Sequence, residues 1–174
     1  MMGNIKVNDL IKNGYRINVG MVIANQQNRL FWGCRQLCRQ AWQFPQGGVV
    51  QGETLREALY REMLEEVGLL KHDVHCLAKT RQWYKYDIPP AYQRSDRSPC
   101  IGQQQKWFLL RLNTHDSAIN LATSLKPEFE TWRWVEYWEA VDSVASFKRD
   151  IYKAVLEEFA PILGIAPYPS ILDK

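Results

Sequence analysis

Glu62, Glu65 and Glu66 sit three and four positions apart, the spacing that places side chains on one face of a helix. Thr54 followed by Glu57 reads as a capping box and Gly68 as a left-handed stop, so the sequence predicts a helix over Leu55–Val67, about three and a half turns. On that helix the three carboxylates share an arc of about 100°, beside an apolar arc of Tyr60, Met63, Leu64 and Val67 expected to face a core. Like charges at these spacings cost roughly 0.2–0.5 kcal/mol per pair in an isolated helix. Arg61 can reach Glu57 and Glu65 at i±4, which leaves Glu62 and Glu66 to be neutralised from outside the helix. Clustered carboxylates supply the oxygen ligands that a hard divalent cation prefers, and a cation so held can activate water. The plainer alternative is a solvated acidic face. Gly47, Gly48 and Gly52 precede the helix and predict a permissive loop able to bring backbone close to an ion or a phosphate.

The same stretch, GGVVQGETLREALYREMLEEVGL, resembles the Nudix box, G-x5-E-x7-R-E-U-x-E-E-x-G-U with U bulky and apolar. Gly47, Glu53, Arg61, Glu62, Met63, Glu65, Glu66, Gly68 and Leu69 fill every specified position. The resemblance implies a pyrophosphohydrolase acting on a nucleoside diphosphate linked to another group, with Mg²⁺ or Mn²⁺ on the helix carboxylates. It also implies the Nudix fold, a mixed curved sheet sandwiched between helices.

At 174 residues, with 46% apolar residues and seven tryptophans, the chain is long enough for one domain with a substantial core. No run reaches the length of a membrane span, and the first residues lack the apolar core of a signal peptide, so the expected location is the cytoplasm. A net charge of +3 is too small to indicate nucleic-acid binding by itself. The four cysteines have no secreted-scaffold framework, and Cys34, Cys38, His72 and His75 match common zinc spacings poorly. The expected domain spans 14–163, between a lead-in of 1–13 and a tail of 164–174.

Along the chain, a strand from Tyr15, a turn over Asn25–Asn28 and a returning strand RLFWGCR precede a loop over Gln36–Ala41 and a short strand over Trp42–Phe44. After the helix, VHCLAKTRQWYKYDIP reads as one long strand, PPAYQRSDRSPCIGQ as a loop, QQKWFLLRLN as a core strand and TWRWVEYW as another. An amphipathic helix over Ser146–Leu163 closes the domain. Elements in this order give an α/β or α+β layered fold.

Outside the box, GYRINVG, WQFPQGG, IGQQQKWFLL, PEFETWRWV and SFKRDIY resemble the bacterial RNA pyrophosphohydrolase branch of the Nudix family, also known as (di)nucleoside polyphosphate hydrolases. Departures are a longer lead-in, one extra residue in GCRQLCRQA and a short tail. This resemblance implies removal of pyrophosphate from 5′-triphosphorylated RNA, leaving a monophosphate end that promotes mRNA decay. It further implies that Arg16 and Arg35 meet phosphates and the first nucleotides, that Tyr86, Phe147 and Lys148 line a pocket for the second base, and that Glu128 joins a metal site of Gly47, Glu62, Glu65 and Glu66. Arg61 would align the carboxylates, and Glu62 would serve as general base, with Glu66 and Glu128 as alternatives. Read without the resemblance, Tyr86 and Phe147 are ordinary core aromatics and Lys148 a solvated cation. The competing functions are hydrolysis of nucleoside polyphosphates such as diadenosine tetraphosphate, and RNA binding without catalysis on a decayed scaffold.

Overall fold

The backbone of the centre is the parallel pairing of β2 (Tyr15–Ala24) with β8 (Gly102–Leu112), which runs in register from Tyr15↔Gly102 to Ala24↔Arg111. These coordinates are a computed structural model describing residues 9–36, 41–93 and 100–170. Both strands are buried over nearly their whole length because their two faces feed two cores. On β2, Val22 and Ala24 face one core and Ile17, Val19, Met21 and Ile23 the other; Trp107 and Leu109 alternate in the same way with Phe108 and Leu110 on β8.

The remaining strands are antiparallel additions. β1 (Ile11–Lys12) folds back on β2, and β3 (Leu30–Arg35) follows the Asn25–Asn28 turn, where the Asn25 side chain accepts from the backbone of Gln27 and Arg29. β3 meets β2 only at Ala24↔Leu30 and pairs along its length with β9 (Phe129–Val135) and with β4 (Trp42–Gln43). At its other end β2 takes β5 (Gln46–Gly48), so the sheet forks. β6 (Val74–Lys79) and β7 (Tyr84–Asp87) complete the β8 edge.

One face of the sheet is covered by α1 (Leu55–Val67), and the other by α2 (Glu139–Ser143) and α3 (Arg149–Phe159). This is the expected mixed sheet between helices. α1 begins and ends where its caps predict: the Thr54 hydroxyl accepts from the Glu57 amide, the Glu57 carboxylate accepts from the Thr54 amide, and Gly68 closes the helix at φ +75°.

Several expectations need correction. The long strand expected after α1 is two strands on one β8 edge, interrupted where Thr80 turns its amide to the Trp107 carbonyl and its hydroxyl to the Gln82 carbonyl. Gly47 and Gly48 belong to a strand rather than a loop. The buried face of α1 is Ala58, Leu59, Met63 and Val67 together with Glu62 and Glu66, whereas Leu64 is largely exposed. α2 was not anticipated, being short and uncapped by a side chain. The expected closing helix is α3 flanked by single 3-10 turns over Ser146–Lys148 and Ala160–Leu163. Cys38 of the zinc spacing lies outside the described residues, and His72 is exposed. The flanks touch the domain: Leu10 packs beneath the sheet, Trp138 donates to the Ala166 carbonyl and Tyr168 to Asp142.

Because the capping box satisfies two backbone donors at the mouth of α1, Thr54→Ala is expected to lower stability by about 1 kcal/mol. Urea unfolding at neutral pH measures it, and a loss below a few tenths would mean that the N-terminus is held by packing instead.

Candidate active site

The site starts from the close approach of α1 to β5. At Gly47 an added Cβ would lie 1.9 Å from Glu62 Cδ, and at Gly48 it would lie 2.5 Å from Arg16 Nη2. Only glycine lets the strand pass between these two side chains. Arg61 then ties the approach together: Nε and Nη2 donate to the Glu53 carboxylate at 2.7 and 2.8 Å, Nη1 to Glu62 at 2.6 Å, and Nη2 also to the Gly48 carbonyl at 2.8 Å. Glu65 lies 3.5 Å from Arg61 Nη1 and is half-exposed. These contacts, above all those to Glu53, raise the Arg61 pKa further, so this guanidinium is a permanent cation.

The expected division of charges is therefore different in detail. Arg61 bonds Glu53 and Glu62 instead of Glu57, whose carboxylate is taken by the cap at Thr54. Glu62 and Glu66 are 4% and 8% exposed, which excludes a solvated acidic face for these two. Glu66 Oε2 accepts from the Gln46 amide at 3.1 Å.

Past Gln46 the forked end of the sheet opens into a cleft lined by Arg16, Arg35, Tyr86, Glu128, Phe147 and Lys148, with a polar floor of Asn18, Gln43, Gln46 and Gln103. Each strand contributes at its end: Arg35 terminates β3 at a register shift, and Glu128 directly precedes β9. Arg35 Nε donates to Glu128 Oε1 at 3.0 Å, and the Glu128 carbonyl accepts from the Gln36 amide. Phe147 lies 5.9 Å from the Tyr86 ring and 4.9 Å from that of Tyr92. Tyr86 is a cleft wall, its hydroxyl donating to Gln103 at 2.7 Å.

Lys148 is no solvated cation. It is 7% exposed, its ammonium donates to Gln43 Oε1 at 2.7 Å, and it lies 5.8 and 6.0 Å from the Phe147 and Tyr86 ring centres. Burial and the Arg35 cation push its pKa down to about 7, against the opposing pull of Glu128 and Glu66.

The glutamine floor was not singled out from the sequence. Gln103 Oε1 accepts from Tyr86, from Gln105 at 3.1 Å and from Gln46 at 3.4 Å, and Gln105 also donates to Gln46 at 2.8 Å. Three consecutive glutamines in a core strand were the available signal, since two of them must point to one face and be satisfied there. Three polar atoms of cleft-lining residues, Arg16 Nε and Nη1 and Asn18 Oδ1, are buried without a hydrogen-bond partner among the described residues. Unsatisfied polar atoms of this kind in a cleft mark where a polar ligand fits.

The site fits a hard divalent cation by its donor chemistry, because Glu62, Glu65, Glu66 and Glu128 offer only carboxylate oxygens and Gly47 keeps the approach open. Among the described residues no three acidic, histidine or cysteine side chains already converge as a cage. Arg61 lies on Glu62 and Arg35 on Glu128, so loading a cation means redistributing these pairs.

The depressed Lys148 pKa fixes a sign for pH dependence. Between about pH 7 and 10.5 the unfolded chain holds a proton on this side chain that the folded chain lacks, so stability rises with pH by up to about 1.4 kcal/mol per unit. Lys148→Met is expected to flatten that slope in metal-free urea unfolding between pH 7 and about pH 9. An unchanged slope would show that the buried ammonium stays charged.

The sequence matches the NUDIX domain over residues 14–155. Among curated proteins it is 55% identical over 148 residues to an RNA pyrophosphohydrolase of Francisella philomiragia, covering 85% of this chain and 95% of that one. It is 54% identical over 161 residues to an RNA pyrophosphohydrolase of Coxiella burnetii, covering 90% of this chain and 71% of that one. Solved structures of similar fold include the Caenorhabditis elegans Ap4A hydrolase binary complex, at TM-score 0.61 and 20% identity over 84% of this chain and 98% of that one. The Escherichia coli dihydroneopterin triphosphate pyrophosphohydrolase follows the same fold at TM-score 0.64 and 20% identity, over 80% and 94% of the two chains. With the domain matched over most of its length, relatives more than half identical, and an intact box folded against a polar cleft, the chain belongs to the Nudix hydrolase family.

Proposed function

We propose that the protein is an RNA 5′ pyrophosphohydrolase, releasing pyrophosphate from 5′-triphosphorylated RNA to leave a 5′ monophosphate, and that it acts in the cytoplasm. The catalytic unit is taken as residues 14–163. The observation that carries the reading is a single cleft in which Glu128 and the Glu66-bound strand β5 lie beside a wall of Tyr86, Phe147 and Lys148. Polyphosphate needs cations and a metal, while an RNA chain needs aromatic faces for its bases; this cleft offers both. The name carried by the relatives supports the same substrate.

Glu62, Glu65, Glu66 and Glu128, with the Gly47 carbonyl, would hold Mg²⁺ or Mn²⁺. Bound there, the cation supplies charge neutralisation for the polyphosphate and acidifies a coordinated water. Arg61 fixes Glu62 through a short charge-assisted bond and draws Glu53 against β5, so the carboxylate faces the substrate in one orientation. Glu62 is the proposed proton acceptor, with Glu66 and Glu128 the alternatives. Arg16 and Arg35 present planar forks to phosphate oxygens. Lys148, its pKa held down to about 7 in the empty cleft, becomes more fully protonated as polyphosphate charge arrives, since a neighbouring anion favours the ammonium. Tyr86 and Phe147 hold the second base by stacking.

Two measurements test this reading. Glu62→Gln, Glu65→Gln and Glu66→Gln are each expected to lower kcat by at least about a hundredfold with circular dichroism unchanged; near-normal turnover in all three at saturating Mg²⁺ would remove the metal site. For the substrate, kcat/KM is compared on triphosphorylated RNA and on diadenosine tetraphosphate. Phe147→Ala is expected to cost about tenfold or more on RNA, from lost stacking, and much less on a free nucleoside triphosphate, which has no second base. Equal losses on both substrates would assign Phe147 to packing and favour the small-nucleotide reading.

A further inference from the structure

The segment preceding the matched domain carries a carboxylate that meets a cleft-lining arginine. Asn13 and Gly14 take φ values of +52° and +82°, the mirror-image turn that Asn-Gly favours in tight hairpins. That turn folds Asp9–Lys12 back along β2 with Ile11 opposite Arg16. The returning segment is also fastened to the stretch after β5: Asp9 bridges Val50, and the Leu10 amide donates to the Val49 carbonyl at 2.9 Å. Asp9 is thereby set against Arg16: its Oδ1 accepts from Nη2 at 3.2 Å, and its Oδ2 lies 2.9 Å from Nε in an ion pair that lacks hydrogen-bond alignment. Both side chains are 6% exposed.

A guanidinium has two usable edges, and here the carboxylate occupies one of them, by a hydrogen bond at Nη2 and an ion-pair contact at Nε. Nη1 is buried in a cleft-lining residue with no hydrogen-bond partner among the described residues. Gly48 permits the arrangement, since any Cβ there would strike the guanidinium. We infer that Asp9 is a positioning residue for the reaction: it clamps Arg16 from the side away from substrate, so that the Nη1 edge is held ready for a phosphate oxygen. The inference rests on the reading above that Arg16 meets the polyphosphate. In this chain a segment outside the matched domain thus becomes part of the phosphate-binding machinery. A long, flexible cation that is already fixed loses less freedom when the phosphate arrives, and the gain appears in substrate binding.

The test is a double-mutant cycle on the full chain, reading KM and kcat for 5′-triphosphorylated RNA with Mg²⁺. Asp9→Asn removes the charge and keeps the shape. It is expected to raise KM by about tenfold, the scale of one weakened charge-assisted hydrogen bond, with a smaller effect on kcat. In an Arg16→Ala background the same Asp9→Asn change is expected to have no further effect, and Asp9→Glu is expected to recover part of the loss. A merely structural Asp9 would lower the melting temperature and change KM equally in both backgrounds, which would overturn the inference. If Arg16→Ala raises KM and Asp9→Asn does not, Arg16 binds phosphate unaided and the inference fails alone. An unchanged KM in Arg16→Ala would overturn the phosphate role and the inference together. Should the wild-type protein not cleave RNA, the proposed substrate fails, and the thermal shift produced by inorganic tripolyphosphate without metal reads the Asp9–Arg16 coupling separately. Loss of that shift in Asp9→Asn would uphold the clamp, and its retention would overturn it.

Discussion

Everything in this structure that bears on chemistry depends on how closely the strand β5 passes α1. Two glycines make that distance available, and the room left by their missing Cβ atoms is occupied by Glu62 on one side and Arg16 on the other. The helix is then locked to the strand by Arg61, which holds Glu53, Glu62 and the Gly48 carbonyl at once, and by the Gln46 amide on Glu66. Without the close approach the carboxylates would lie on a helix facing water, where neighbouring charges only repel.

Placing so many ionised groups out of water carries a cost that simple stability does not explain. Buried ion pairs rarely outcompete apolar packing, and breaking one leaves a charge stranded. Here the pair Arg35–Glu128 lines the cleft, Asp9 holds a third cleft residue, Arg16, and Arg61–Glu62 lies on the neighbouring helix, while the two apolar cores on either side of the sheet provide the stability. The arrangement makes sense as preorganisation: each arginine is already oriented by a carboxylate before a polyanion arrives, and water need not be reoriented at that moment.

The fold and the box were legible in the sequence to different depths. The extent of α1 followed from its caps, since Thr54, Glu57 and Gly68 act through local backbone hydrogen bonds that need no tertiary partner. The strands β2, β3 and β8 were legible for a related reason, their apolar content being dense enough to fix type and approximate length. Of the partners of Arg61, helical spacing found Glu65 but proposed Glu57 where the actual partner is Glu53, which lies before the helix and is brought in by the turn at Gly52. Leu64 was misplaced by the same limitation: periodicity gives the width of an apolar arc, and only the docked sheet decides which edge is covered. The break at Thr80–Trp83 depends on hydrogen bonds to Trp107, across the sheet, and no local pattern encodes it. The Asn13–Gly14 dipeptide is a hairpin signal that lay inside the stretch taken as a lead-in, because a two-residue strand before it leaves no periodicity to read.

The glutamine floor joins the two halves of the site into one mechanical unit. Gln46 touches Glu66 through its backbone amide, and its side chain enters the network that ends on the Tyr86 hydroxyl. Gln46 thus meets the carboxylate through its backbone and the network of the aromatic wall through its side chain, one strand position before the glycine pair. Gln103 Oε1, accepting from three donors, is saturated, so a shift of Tyr86 must be answered by Gln46 or Gln105. On the proposed reading, a base seated against Tyr86 would bear on the hydrogen-bond network that reaches the strand carrying Gly47 and Gly48. The aromatic wall and the box carboxylates are in that sense parts of one hydrogen-bonded unit, and β5 is the element they share.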